Sequence, residues 1–135
     1  MIKKILIFLI ALIAFSCDIS DDTPNTYQEL LPIESAIVPE EFQVGVTYEI
    51  NLTYIKPTTC HSFKTLYYLK NGNERTVAII SAIVDTNDCS ELNTEEEVSF
   101  DFLPTELGSY VFKFWQGTDE NAQDEYLTIE VPVVE

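Results

Sequence analysis

Three cysteines, a single histidine and 23 acids hold most of the chemistry available to this 135-residue chain. Their spacing decides what that chemistry can be. His61 stands next to Cys60, with no second imidazole or free thiolate at ligand spacing, so neither a zinc site nor a nucleophile and base pair can be assembled around it. There is no Gly-rich phosphate loop, and one histidine allows no choice of Ser-His-acid sets. Two acidic stretches are candidate calcium ligands, because that cation takes several carboxylate and carbonyl oxygens from flexible loops. They are Asp85, Asn87, Asp88 and Glu91, and then Asp119, Glu120, Asn121, Asp124 and Glu125. Neither follows the EF-hand order: Cys89 falls at the fifth place of the first stretch and Ser90 stands where glycine is required. Solvated loops are the commoner reason for such acids, so no cofactor is expected, with calcium as the one candidate.

Cys17 has a different setting. Lys3 and Lys4 precede an unbroken apolar run at residues 5–15, and Ser16 is small, which is the order of a secretory leader. The run falls short of the roughly 20 residues a membrane-crossing helix needs. Ala14-Phe15-Ser16-Cys17 resembles the signal of bacterial lipoproteins, in which the cysteine after the cut is acylated. It departs from that pattern in having Ala14 where leucine is usual and Phe15 where a small residue is usual. Asp18, Ser20, Asp21 and Asp22 resemble the acidic tract that sends lipoproteins of Bacteroidota to the outer face of the outer membrane. Asp18 directly after the cysteine is, under enterobacterial sorting, a retention signal for the inner membrane instead. The resemblance implies that Cys17 is the lipidation site of a surface-exposed outer-membrane lipoprotein, held by more than one acyl chain because a single chain anchors only marginally.

Three segments follow: a leader at 1–16, an acidic flexible tether at 17–29 and a folded domain at 30–135. Removing residues 1–16 from the 135 leaves 119, enough for one core and not for two. Lys3 and Lys4 leave with the leader, so five bases (Lys56, Lys64, Lys70, Arg75 and Lys113) face 23 acids, a formal balance of −18. Such a field repels nucleic-acid phosphates and anionic head groups and attracts cations or a basic protein, which excludes DNA and RNA as partners. Solubility of an exported domain is the simpler explanation of the same charge.

Within the domain, period-2 alternation recurs between turn signals and no helical spacing is sustained. Residues 46–54 alternate Val46, Tyr48, Ile50, Leu52 and Tyr54 against polar neighbours. Shorter runs lie at 33–38, 97–102, 109–116 and 126–133, the last confined by Pro132 to an edge or a strand end. Residues 63–70 and 74–84 flank Asn71-Gly72, a strong hairpin signal. A two-residue turn there places Cys60 opposite Ile83, and residues 85–88 can fold Cys89 back to it. A Cys60 to Cys89 disulfide closing the open end of the hairpin is therefore expected in an exported chain.

About seven short strands without helices read as an antiparallel β-sandwich. The stretch LPTELGSYVFKFW resembles the approach to the sixth strand of immunoglobulin-like and fibronectin-like domains, where a proline and glycine turn precedes Gly108, Tyr110 and Phe112. The inter-sheet cysteine pair of immunoglobulins is not matched by Cys60 and Cys89. Taken together, the chain resembles small Bacteroidota lipoproteins carrying an immunoglobulin-like β-sandwich, a resemblance that implies location and fold but no activity.

In such a sandwich the loops at 56–62, 85–96 and 117–125 gather at one end with the disulfide and His61. A small convex sandwich offers little cleft in which to shift a carboxyl pKa, so no enzyme is expected. Residues 77–84 (VAIISAIV) are apolar on both faces of their strand, so Ile80 is either roofed or part of an exposed interface patch that Tyr67, Tyr68 and Trp115 extend. The expected role is a membrane-anchored, non-catalytic module binding protein or glycan. The alternative is an acidic inhibitor or immunity-type lipoprotein directed at a basic enzyme or toxin.

Overall fold

The computed structural model describes residues 25–135. Cys17, the leader and most of the tether lie outside them. Nine strands form two sheets packed as a β-sandwich. The large sheet runs β1 (Thr26–Leu31), β6 (Glu74–Val84), β8 (Gly108–Thr118), β9 (Asp124–Val134) and β3 (Phe42–Gln43), with β5 (His61–Asn71) on the other side of β6. The small sheet is β2 (Ile33–Ile37), β4 (Tyr48–Thr58) and β7 (Glu91–Phe102).

Alternation builds the core directly. Ile50, Leu52 and Tyr54 of β4 meet Val77 and Ile79 of β6 and Tyr110, Phe112 and Phe114 of β8, all buried. Phe42 is fully buried although its strand has only two residues, and its ring lies 5.2 Å from Phe102 and 4.9 Å from Tyr48. Tyr110 closes the turn before β8: its hydroxyl accepts the amides of Thr105 at 3.0 Å and Glu106 at 3.2 Å. A tyrosine at the start of a strand bonding back to upstream backbone is also found as the tyrosine corner of immunoglobulin-like sandwiches.

The strand count exceeds the expected seven because two short pairings carry no sequence signal. β3 joins β9 in parallel over two residues. β1 runs from Thr26, so the folded part begins inside the segment expected as tether at 17–29. Its reason is the backbone of β6: β8 pairs with β6 only from Glu74 to Val77, and the amides and carbonyls beyond need partners. β1 supplies them, Thr26 opposite Val84 through Leu31 opposite Ile79. The contact of β6 with β8 is itself parallel, since β7 intervenes in the opposite sheet and serves as the crossover that parallel neighbours require.

The hairpin is present with a different turn. Asn71 pairs with Glu74, so Gly72 and Asn73 form the loop, and Gly72 takes a φ of 60°. Glycine at the first loop position suits a type II′ turn, whereas a turn at 71 and 72 would put Asn71 there. The register returns partway through a bulge at Lys64, leaving His61 opposite Ile83 and the carbonyl of Cys60 accepting the Val84 amide at 3.1 Å. Cys60 and Cys89 form a disulfide with Cα atoms 5.4 Å apart, closing the open end of the hairpin.

Candidate functional site

The large sheet buries one face, and its other face carries a trough. β6 is central, and its outward residues there are small: Thr76 and Ala78, the latter 2% exposed without any covering sheet. Small residues in the middle of a sheet lower the floor between larger neighbours. β5 contributes Tyr67 and Leu69 as one wall, β8 contributes Lys113 and Trp115, and β9 contributes Tyr126, around a volume of about 520 Å³. Tyr67 is 42% and Leu69 48% exposed, so these apolar surfaces face water.

Polar groups fix two of the rings. The Trp115 indole Nε1–H donates to Asp124 Oδ1 at 3.0 Å, which orients the ring from a neighbouring strand. Lys113 Nζ lies 4.5 Å from the centroid of the Tyr126 ring, a cation–π contact on the same wall. Burial, the Asp124 carboxylate and the nearby Tyr67 all push the Tyr126 phenol above its ordinary value. Asn71 and Glu74 stand at the hairpin end of the trough, where their side chains add further acceptors and an amide donor. The whole is an aromatic-walled trough with a polar rim at the hairpin end and Leu30 of β1 at the other.

Of the four residues read from the sequence as an interface, the structure unites Tyr67 and Trp115 in this trough. The register irregularity of β8 falls after Trp115, so the indole keeps the outward side opposite Phe112 and Phe114. Ile80 lies farther along the same sheet face, in a shallow depression beside Gln28, Glu29 and Leu30. Tyr68 alternates to the other face and rests on Phe100 of β7 with ring centroids 5.8 Å apart. Tyr126, Lys113 and Leu69 are additions. Strict alternation in β9, with Leu127, Ile129 and Val131 inward, already implied that Tyr126 points outward. No family, curated protein or solved structure matches the chain.

Three of the nine candidate calcium ligands have other partners. Asp119 Oδ1 accepts the backbone amides of Asn121 at 2.8 Å and Gln123 at 3.0 Å, folding its own turn. Asp124 holds Trp115, and Glu91 begins β7, where its carboxylate accepts from the Asn93 amide. Asp85, Asn87 and Asp88 lie in the loop before β7. Among the described residues, no three His, Cys, Asp or Glu side chains converge as a metal site.

His61 has structural work. Its Nε2 faces Glu29 Oε2 at 2.9 Å and its Nδ1 faces Thr58 Oγ1 at 2.7 Å. The Thr58 hydroxyl also accepts the Cys60 amide at 3.2 Å. A proton on Nε2, donated to the carboxylate, and a Thr58 hydroxyl donating to Nδ1 satisfy every member. This network ties β1, the end of β4 and the start of β5 together beside the disulfide.

Proposed function

We propose that this protein is a non-catalytic carbohydrate-binding module of the cell envelope, anchored through an acylated Cys17 at the outer face of the outer membrane. The observation that carries the binding reading is the trough itself, in which Tyr67, Trp115 and Tyr126 present aromatic surface around a small-residue floor. Sugars have apolar C–H faces that stack on aromatic rings and hydroxyls that need convergent donors and acceptors. Asn71, Glu74 and Asp124 supply such groups at the rim. A trough whose aromatic walls stand exposed to water suits a chain of sugar units better than a compact metabolite, which sites normally enclose. The acidic rim favours neutral or amino sugars over sulfated and uronic acid polymers.

The test is a glycan array followed by calorimetry on the hits. A neutral or amino-sugar oligosaccharide should bind, with Trp115→Ala and Tyr67→Ala each weakening it by about tenfold or more, in the range by which stacked aromatics contribute to binding. Tyr67 is so exposed that its truncation leaves the fold intact, which keeps the result readable if the tryptophan variant is less stable. Binding unaffected by either substitution, or no glycan bound at all, would sink the reading.

A further inference from the structure

The sandwich has an open strand edge that the trough does not use. β7 is hydrogen-bonded to β4 along one side only, and none of its residues has another backbone partner among the described residues. It is 12 residues long, and from Thr94 to Phe102 its pairing with β4 runs without a register shift. An unpaired edge of this length is a template for another strand, and proteins ordinarily blunt such edges with lysines, proline or a bulge. The edge strand of the large sheet, β5, is blunted in that way, by Lys64, Lys70 and the bulge at Lys64. β7 has none of these in its regular part. What that part has instead is four acids, Glu95, Glu96, Glu97 and Asp101, and no base, charges that discourage pairing with a like edge but not with a basic one.

Pairing places these side chains on defined faces. Ile50 and Leu52, both buried, stand opposite Phe100 and Val98, so those two point between the sheets, where they remain partly exposed. Glu49, Asn51, Thr53 and Ile55 stand opposite Asp101, Ser99, Glu97 and Glu95, which therefore share the outer face. The inward side of the same edge continues into a groove where Leu66 and Tyr68 of β5 approach Phe100 and Leu103, with Lys70 and the buried Arg75 at its hairpin end, so the apolar rather than the basic positions of an added strand would face it. A strand added to β7 would thus meet Glu95, Glu97 and Asp101 on one face, and on the other the apolar Val98 and Phe100 with Glu96 beside them, opposite Tyr54.

We infer that the β7 edge receives, by strand addition, an extended segment of a basic partner protein in which lysine or arginine alternates with apolar residues. The basic positions would lie beside Glu95, Glu97 and Asp101, and the apolar ones beside Val98, Phe100 and the rim at Tyr68. Backbone hydrogen bonds would supply affinity and the alternate side chains specificity. A second copy of this chain is a poor occupant, because pairing β7 with β7 brings carboxylates against carboxylates. The chain's own residues 18–22 carry Asp18, Asp21 and Asp22 and lack the basic positions this edge would select. The acids thus prevent self-pairing and select the partner by one device.

The experiment uses the folded chain labelled for NMR and a soluble peptide alternating lysine and valine, with a second peptide of the same sequence N-methylated at alternate positions. The unmodified peptide should bind one to one and slow amide exchange selectively in Glu91–Phe102. Glu95→Lys with Glu97→Lys should weaken it at least tenfold, and N-methylation of the edge-facing amides should abolish it. Equal binding of the N-methylated peptide would reduce the effect to bulk charge and overturn strand addition. Protection appearing elsewhere, no binding, or dimerisation of the chain through β7 without peptide would overturn it as well.

Discussion

Tyr110 shows how much one hydroxyl organises. Burial alone would raise its phenol, but the hydrogen bonds from Thr105 and Glu106, with the Arg75 guanidinium nearby, bring it below its ordinary value. Arg75 is buried at the end of the sandwich, 5.1 Å from the Tyr110 ring and 5.7 Å from Phe102, and its Nη1 donates to the carbonyls of Gly72 and Glu74. The hairpin turn, the β8 corner and a buried cation therefore meet at one phenol. Tyr110→Phe keeps the ring and removes the acceptor, leaving two amides without it. We expect a loss of about 1 to 3 kcal/mol, the range for stranding polar groups in a partly buried site. Urea denaturation should register it as a lower midpoint at unchanged slope. No change in midpoint would mean that water replaces the hydroxyl at this corner.

The elements were legible to the degree that they bury side chains. Alternation located β4, β8 and β9 because each sets apolar against polar residues, and the same alternation put Trp115 on the outer face. β1 and β3 were not legible: Thr26, Tyr27, Gln28 and Glu29 are exposed, and their place is set by unpaired backbone on β6, to which side-chain pattern is blind. The hairpin was found and its turn displaced, since Gly72 rather than Asn71 takes the position needing positive φ. Of the trough, only Tyr67 and Trp115 in its walls are read from the sequence, because its floor depends on which strand is central and its other wall residues on which strands flank it. β6 being central also accounts for an apolar strand on both faces, with Ala78 buried by its neighbours alone. The disulfide at its open end joins residues 29 apart, so its loss should cost roughly 3 to 4 kcal/mol in the chain-entropy treatment. Cys60→Ser with Cys89→Ser should therefore lower the melting temperature markedly. It should also speed amide exchange first in β1 and the start of β5, which meet beside the bridge through Glu29 and His61. Uniform acceleration across both sheets would show that the bridge stabilises the fold globally instead of pinning this end.

At the scale of the molecule, Cys17 and the fold are close in sequence. Thr26 opens β1, so if Cys17 carries the lipid only residues 18–25 separate membrane from domain. At roughly 3.3 to 3.6 Å per residue, fully extended, that linker reaches at most about 30 Å. The domain is then held near the surface, and its own balance, 20 acids against five bases or −15, keeps it off anionic head groups while leaving the trough and the β7 edge to ligands arriving from outside. This arrangement depends on the cut falling before Cys17. Intact mass of the protein isolated from a bacterial host with lipoprotein processing should give a chain beginning at Cys17, heavier by its acyl groups, and gaining the two hydrogens of the Cys60–Cys89 disulfide on reduction. Cys17→Ser should abolish acylation and release the domain from the membrane fraction with its melting temperature unchanged, since β1 and everything after it lie beyond the substituted residue. An unlipidated wild-type chain cut elsewhere would detach the domain from the membrane altogether and free Cys17 to form bridges between molecules.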